Sequence, residues 1–208
     1  MSDGGFGGAD RVPTVFRDRH NWATVNQGVW QKYPNPYSGH VVSVDVLDRT
    51  VDPETGVIRT ERLLGCKQAA PRWVVKVSKS TLPPTQIVSD DLYLLKILGG
   101  SDDAFVREVS FVDPRTCETT VTSVNLSLSQ YITVLEKITY SPLPSNPLEK
   151  TMFKQTAEIQ ARMGTWKAIS DRLESWSVDR FQSNAALGRQ GFEHVLRSLR
   201  EQEQKVES

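Results

Sequence analysis

One stretch of the sequence decides the fold class, and it has three parts: VSVDV (42–46), DPETG (52–56) and VIRTERLL (57–64). In the first part valines alternate with polar residues, which is typical of a strand with one face turned to a core. The second part combines Asp, Pro and Gly, as turns do. The third part again favours a strand, so the stretch predicts two strands joined by a turn.

The strand pattern continues through much of the chain that follows. Asp113-Pro114 and the Pro-rich stretch 141–144 separate its pieces. No helical period lies between these later strands, so the pattern predicts an antiparallel meander and not an alternation of strands and helices. The further predicted strands are Phe105–Val112, Thr119–Leu126, Tyr131–Tyr140 and Met152–Ala161.

Two segments have a helical period instead. From Thr165 to about Gln202, apolar residues recur at steps of three and four, which predicts a long amphipathic helix. About 38 residues at ~1.5 Å each span roughly 57 Å, so this helix has to be bent, broken or wrapped along the sheet. A shorter helix is predicted after a cap at Asn21, and the prolines of YPNPY (33–37) end it.

Length and composition indicate one α+β domain with tails. The chain has 208 residues, of which 25 are basic and 25 acidic, and a net charge of zero argues against bulk nucleic-acid binding. No apolar run is long enough to span a membrane, and the N-terminus does not resemble a secretory signal. We predict a flexible Gly-rich tail at 1–12, a folded domain at 13–200 and a charged tail at 201–208.

The sequence offers no constellation that indicates catalysis or metal binding. The three histidines lie far apart, and Cys66 and Cys117 lack the spacing of a zinc site. A nucleophilic pair of Cys66 with a histidine has no local support. We therefore expect a protein that is not an enzyme and that needs no metal or other cofactor.

Cationic side chains do stand beside apolar residues at four positions: Lys32, His40, Arg62 and Arg180. Each alone is usually a surface charge on an apolar stem. Gathered by a curved sheet and a long helix, they are suited to line the end of a cavity for an amphiphile with an anionic head.

From KYPNPYS (32–38) onward, the sequence resembles the PRELI-domain family of intramitochondrial phospholipid-transfer proteins, which includes the PRELI, Slowmo and yeast Ups groups. The resemblance covers about residues 15–199. The stretches DVLDR (45–49) and YSP (140–142) are most similar to the Slowmo-type branch. Further matching motifs are HV (40–41), TERLL (60–64), PRW (71–73), REVS (107–110), WS (176–177), RF (180–181), Asn184 and GF (191–192).

The resemblance implies a seven-stranded antiparallel sheet curved around a lipid cavity and closed by the long C-terminal helix. It implies transfer of one phospholipid at a time across the mitochondrial intermembrane space, with transient contact to anionic membranes. The implied partner is a small helical-hairpin protein with twin C-x9-C motifs. This chain lacks those motifs, so it would be the lipid-binding subunit.

The resemblance also assigns residues to the lipid head group. The basic residue before Tyr-Pro-Asn, here Lys32, would contact it, and matching positions add His40 and Asn184. Arg62 and Arg180 match too, with a structural ion pair as the alternative role. A lysine lacks the two-pronged phosphate geometry of an arginine, so we hypothesise phosphatidylserine as cargo, supplying phosphatidylethanolamine synthesis. Phosphatidic acid, for cardiolipin synthesis, is the alternative.

The segment 77–96 departs from the family, whose lid after the PRW motif is shorter. Without it, RWVVK (72–76) joins ILGG (97–100), which resembles a family lid. Val77-Ser78-Lys79 is also what the intron donor sequence GTAAGTAAG would encode in frame. We hypothesise a retained intron; the alternative is a genuine insertion that lengthens the lid.

Overall fold

The computed structural model describes residues 7–10, 14–15, 20–67, 103–127, 129, 132–161 and 167–206. The unusual segment 77–96 lies outside these residues. The described helices and strands are, in chain order, β1 (Gly7–Asp10), β2 (Thr14–Val15), α1 (Trp22–Trp30), β3 (Val41–Val51), β4 (Ile58–Lys67), β5 (Asp103–Asp113), β6 (Glu118–Asn125), β7 (Ile132–Pro142), β8 (Thr151–Ala161) and α2 (Lys167–Val206).

The predicted antiparallel meander is confirmed. From β3 to β8, six long strands each pair antiparallel with the next strand along the chain. The ends of β4 to β8 lie within three residues of the predicted ends. The result is an open sheet, in which β3 lies at one edge of the described strands.

The predicted count of seven strands is not confirmed. Beyond the six long strands, the described N-terminal residues supply two short pieces, β1 and β2, which both pair with the edge of β8. The strand Gly7–Asp10 lies within the segment 1–12 of the predicted Gly-rich tail. The physical reason is that unpaired backbone groups at the edge of a strand accept another segment readily, even one rich in glycine.

The turn between β3 and β4 forms as the sequence predicts. The Asp52 side chain accepts hydrogen bonds from the backbone N–H groups of Glu54 at 2.9 Å and Thr55 at 2.7 Å. Gly56 has a φ of 71°, which favours glycine. The register of the two strands places Arg62 opposite Val46.

β3 is a strand, as predicted, but its valines do not form a buried face. Val42 and Val46 are 53% and 58% exposed. The register of β3 against β4 shifts twice, between Val41 and Ser43 and between Val46 and Asp48. Each such bulge interrupts the alternation of the two faces, and an edge strand is covered less than a central one.

α2 is one continuous helix of 40 residues that packs on the inner face of the sheet at two places. The predicted long helix is therefore confirmed as one wrapped along the sheet, and it continues to Val206, so residues 201–205 of the predicted charged tail are helical and exposed. Neither α1 nor α2 is long and apolar enough to cross a membrane. The first apolar cluster comprises Ile132, Val134, Ile159, Val178 and Phe181. The second comprises Val25, Val29, Val121, Ile138, Tyr140, Phe153, Phe192 and Leu196.

Two glycines allow α2 to approach its neighbours closely. A Cβ at Gly28 of α1 would lie 2.7 Å from Leu196 Cδ2. A Cβ at Gly191 of α2 would lie 3.0 Å from Asn35 Cγ and 3.1 Å from Tyr37 Cβ. The helix therefore packs against both α1 and the segment that follows α1 only because these two positions carry no side chain.

We expect the substitution Gly191→Ala to destabilise the protein by about 1–3 kcal/mol, because the added methyl group displaces Asn35. Gly188→Ala in the same helix is the matched control, since a Cβ there meets nothing within 4 Å. The control should be neutral or stabilising by up to about 1 kcal/mol. Urea denaturation of both variants measures the difference, and equal stabilities would contradict the proposed close contact.

Candidate functional site

A row of polar side chains crosses the inner face of the sheet between the two apolar clusters. Arg62 of β4 lies opposite Glu108 of β5, Glu108 opposite Ser123 of β6, and Ser123 opposite Glu136 of β7. Residues that oppose each other in adjacent strands share one face of a sheet. We call these four residues the inner polar row.

The location of the inner polar row is clearest along β7. On this strand Glu136 stands between Val134 of the first cluster and Ile138 of the second cluster. Because side chains of a strand alternate between faces, these three residues point to the same side. The row therefore fills the interval that separates the two contacts of α2 with the sheet.

Arg62 and Glu108 form an ion pair at one end of this row. The Arg62 Nε donates to Glu108 Oε1 at 2.9 Å, and Nη2 donates to the same oxygen. The two residues are only 4% and 3% exposed. Arg62 also donates to the carbonyl oxygen of Val29 at 3.4 Å, and this carbonyl lies in the last turn of α1, where helices leave acceptors unsatisfied. Arg62 thus ties the end of α1 to the sheet.

Lys32 follows α1 directly, and a short loop fixes its backbone. The Asn35 side-chain amide donates to the Lys32 carbonyl oxygen at 2.7 Å and to Ser38 Oγ at 3.2 Å. The Asn35 side-chain oxygen accepts from the Tyr37 backbone N–H at 2.9 Å. Gly191 packs against this Asn35 side chain. One asparagine therefore organises the loop and seats it on α2.

The Lys32 side chain lies deep in the protein beside the inner polar row. Burial opposes its charged form, but the phenol groups of Tyr33 and Tyr140 and the carboxylates of Glu108 and Glu136 outweigh burial and raise the pKa of Lys32. Lys32 Nζ lies 5.2 Å from the centroid of the Tyr33 ring. The side chain is therefore an ammonium at neutral pH. The residue is largely, but not fully, buried.

Glu136 lies at the other end of the inner polar row and is bound less fully by other side chains than Glu108 is. Its Oε1 accepts a hydrogen bond from the Gln155 side-chain amide of β8. The side chain is half-buried, whereas Glu108 is fully buried against Arg62. An ionised carboxylate has about four acceptor positions. Of the two carboxylates in the row, Glu136 therefore has the greater capacity for another donor.

The structure brings two of the predicted head-group residues, Lys32 and Arg62, to this site. Asn184 lies half-buried on α2, between the Phe181 and Phe192 contacts. Its place along the helix therefore corresponds to the interval that the inner polar row occupies. Arg62 has the structural ion pair that the sequence analysis left open as its alternative role.

The other two predicted residues are not brought there by the described contacts. His40 is exposed before β3, and its carbonyl oxygen accepts the Lys67 N–H at 2.7 Å. Lys67 is five residues from Arg62 on β4, or about 16 Å at ~3.3 Å per residue. The side chain of Arg180 lies outside the described residues. The head-group roles of His40, Asn184 and Arg180 stay predictions.

Sequence reasoning missed the acidic half of the site. It considered cations beside apolar residues and overlooked Glu108 and Glu136. The signal was present, because both carboxylates interrupt the apolar face of a strand: Val106, Glu108 and Val112 share one face of β5. An acidic residue at an inward position of a strand is a costly exception that indicates a partner.

Comparison with solved structures defines the class of fold. The chain is similar to the protein TTHA0849 of Thermus thermophilus, with a TM-score of 0.51 and 11% identity over 92% of this chain and 98% of that one. It is also similar to the Zhui aromatase/cyclase of a Streptomyces species, with a TM-score of 0.55 and 8% identity over 91% and 94% of the two chains. At these identities the likeness concerns the α+β fold alone.

Comparison of sequences identifies the family. The PRELI-like family model matches residues 23–89 and 92–202, and its break falls inside the unusual segment 77–96. UPS-like protein C36.10 of Schizosaccharomyces pombe is 40% identical over 84% of this chain and 82% of its own length. Protein UPS2, mitochondrial, of Saccharomyces cerevisiae is 37% identical over 88% and 71%. The slowmo homolog of Dictyostelium discoideum is 28% identical over 91% and 73%. The chain belongs to the PRELI-like family.

We expect Arg62→Met to destabilise the protein by about 3–5 kcal/mol, because Glu108 then stays buried without its cation. The double variant Arg62→Met/Glu108→Leu should recover most of this loss, since it removes both charges of the pair together. Urea denaturation of the three proteins provides the comparison. A double variant as unstable as the single one would show that the ion pair is not the source of the loss.

Proposed function

We propose that this chain is a phospholipid-transfer protein that carries one phospholipid at a time between mitochondrial membranes, across the intermembrane space. Phosphatidylserine is the proposed cargo, and its delivery supports phosphatidylethanolamine supply. The observation that carries this proposal is the buried Lys32 ammonium beneath the long helix of a PRELI-like chain. The name of the yeast relative, which includes the word mitochondrial, supports the location.

The proposed lipid site is the space between the sheet and α2. Lys32, Tyr33 and Glu136 are each only partly buried, which leaves part of their side-chain surface for a ligand. The apolar clusters on either side of the inner polar row offer surfaces for acyl chains. The charged row offers partners for the head group.

The energetics of phospholipids explain why such a site is useful. Two acyl chains contain roughly thirty methylene groups, and at about 0.8 kcal/mol each their exposure to water costs on the order of 24 kcal/mol. An apolar enclosure removes this cost without any chemical step. The phosphate still has to leave water, so it needs a cation inside the enclosure. Lys32 is the cation in the right chemical state, because its pKa is raised and it stays protonated.

The proposal does not include catalysis. The Cys66 thiol, the nucleophile considered from the sequence, is buried, and burial raises the pKa of this thiol. A protonated thiol is a poor nucleophile. We propose further that the chain acts with a small helical-hairpin protein carrying twin C-x9-C motifs, as the family resemblance implies, and that it docks transiently on anionic membranes.

We expect Lys32→Gln to reduce the transfer of every anionic phospholipid by about tenfold or more, because the head-group phosphate loses its charged partner. Glutamine is preferable to glutamate, since a third carboxylate beside Glu108 and Glu136 would destabilise the fold. Transfer between liposomes, with the co-purified partner protein, is measured by mass spectrometry of the acceptor membranes. Lys154→Gln, an exposed position on β8, is the matched control. Unchanged transfer by a folded Lys32→Gln protein would reject the assignment.

Phosphatidic acid is the alternative cargo, with a role in cardiolipin synthesis, and Lys32→Arg tests the choice. A guanidinium binds a terminal phosphate through two parallel hydrogen bonds, which an ammonium cannot do. We expect the variant to transfer phosphatidic acid faster relative to phosphatidylserine than the natural protein does. The same liposome assay, with both lipids offered together, measures this ratio. A ratio that does not change would contradict the hypothesis that a lysine at position 32 favours a serine head group.

A further inference from the structure

The geometry points to Glu136 as the residue that binds the ammonium group of the cargo, so that the site selects phospholipids whose head group combines a phosphate with a primary ammonium. This inference rests on the proposed transfer function and adds a second specificity-determining residue to it. Lys32 would bind the part that all phospholipids share. Glu136 would bind the part that distinguishes amino phospholipids from the rest.

The position of Glu136 in the sheet is close to the other charges of the site. Glu136 is on the same face of the sheet as Glu108, with Ser123 of β6 opposite both of them. Adjacent strands are about 4.8 Å apart, so the two carboxylate-bearing positions are separated by about 10 Å. Lys32 is influenced electrostatically by both carboxylates. A head group bound at Lys32 would therefore lie near Glu136 as well.

Of the four charged side chains at the site, two are already bound to each other. Arg62 donates twice to Glu108 and also binds the Val29 carbonyl oxygen, so this pair is occupied by the fold. Among the described residues, Lys32 and Glu136 form no direct ion pair with each other. One cation and one carboxylate thus face the same space with capacity left for a ligand.

The residues around Glu136 orient its carboxylate and leave it charged. Val134 and Ile138 flank it on its own face of β7, and Gln155 of β8 donates to one of its oxygens. The side chain is nevertheless only half-buried. A hydrogen bond from an amide orients a carboxylate without neutralising it. The arrangement presents a negative charge to the space that also contains the Lys32 ammonium.

The chemistry follows from complementarity of charge. A primary ammonium has three donors and no acceptor, and it is costly to remove from water without an anionic partner. A serine or ethanolamine head group places this ammonium a few bonds from its phosphate. A glycerol head group has no such cation and would put its hydroxyl groups, or simply more negative charge, beside Glu136. The site therefore favours amino head groups, because only these add an ion pair with Glu136.

The test is the substitution Glu136→Gln, which keeps the size and the hydrogen bond to Gln155 but removes the charge. Four lipids are offered in one liposome mixture: phosphatidylserine, phosphatidylethanolamine, phosphatidylglycerol and phosphatidic acid. We expect transfer of the two amino phospholipids to fall about tenfold relative to the other two. Glu158→Gln is the matched control, since Glu158 is exposed on the neighbouring strand, opposite Leu135 and not Glu136.

The possible outcomes separate this inference from the function on which it rests. If the variant keeps the natural lipid ratios, or if all four lipids fall together, Glu136 does not select the ammonium and the inference is overturned. If the natural protein transfers none of the four lipids, the proposed function fails, and this inference with it. Thermal unfolding of the Glu136→Gln variant is the test that it is folded. The substitution Glu136→Asp, which keeps the charge, should retain part of the preference for amino phospholipids.

Discussion

The structure depends on one constraint: the long helix, together with the short α1, has to cover the inner face of an open sheet. α2 meets this constraint with two separate apolar contacts, one around Phe181 and one around Phe192. The interval between them can contain charged residues, because it does not have to pack apolar side chains tightly. The inner polar row occupies that interval. A shorter helix with one contact would leave either the row or one cluster in water.

The position of Lys32 follows from the same packing. Arg62 binds the last turn of α1, and Asn35 binds the Lys32 carbonyl oxygen, so the chain before and after Lys32 is fixed from two sides. The second fixation depends on α2, because Gly191 lets the helix contact Asn35. The side chain that we propose for phosphate binding is therefore held by the helix that closes the site. The same helix therefore holds Lys32 in position and covers the proposed site.

The four charges of the site balance, and this balance makes their burial tolerable. Arg62 and Glu108 satisfy each other, whereas Lys32 and Glu136 remain available on either side of them. Buried ion pairs contribute little stability in comparison with apolar packing. Arg62 and Glu108 tie α1 to the sheet, whereas Lys32 and Glu136 are the two charges that we propose for the ligand.

The sequence by itself determined the strands β4 to β8, the turn at Asp52, the cap of α1 and the long helix, because all of these depend on local periodicity and turn chemistry. It also identified the family, and Lys32 and Arg62 as candidate site residues, through motifs. It could not predict that Arg62 meets Glu108 or that Glu136 shares their face. Those relations depend on the register between strands, and a shift of one residue would turn each side chain to the opposite face. The exposure of Val42 and Val46 likewise depends on bulges and on the edge position of β3, which only the assembled sheet decides.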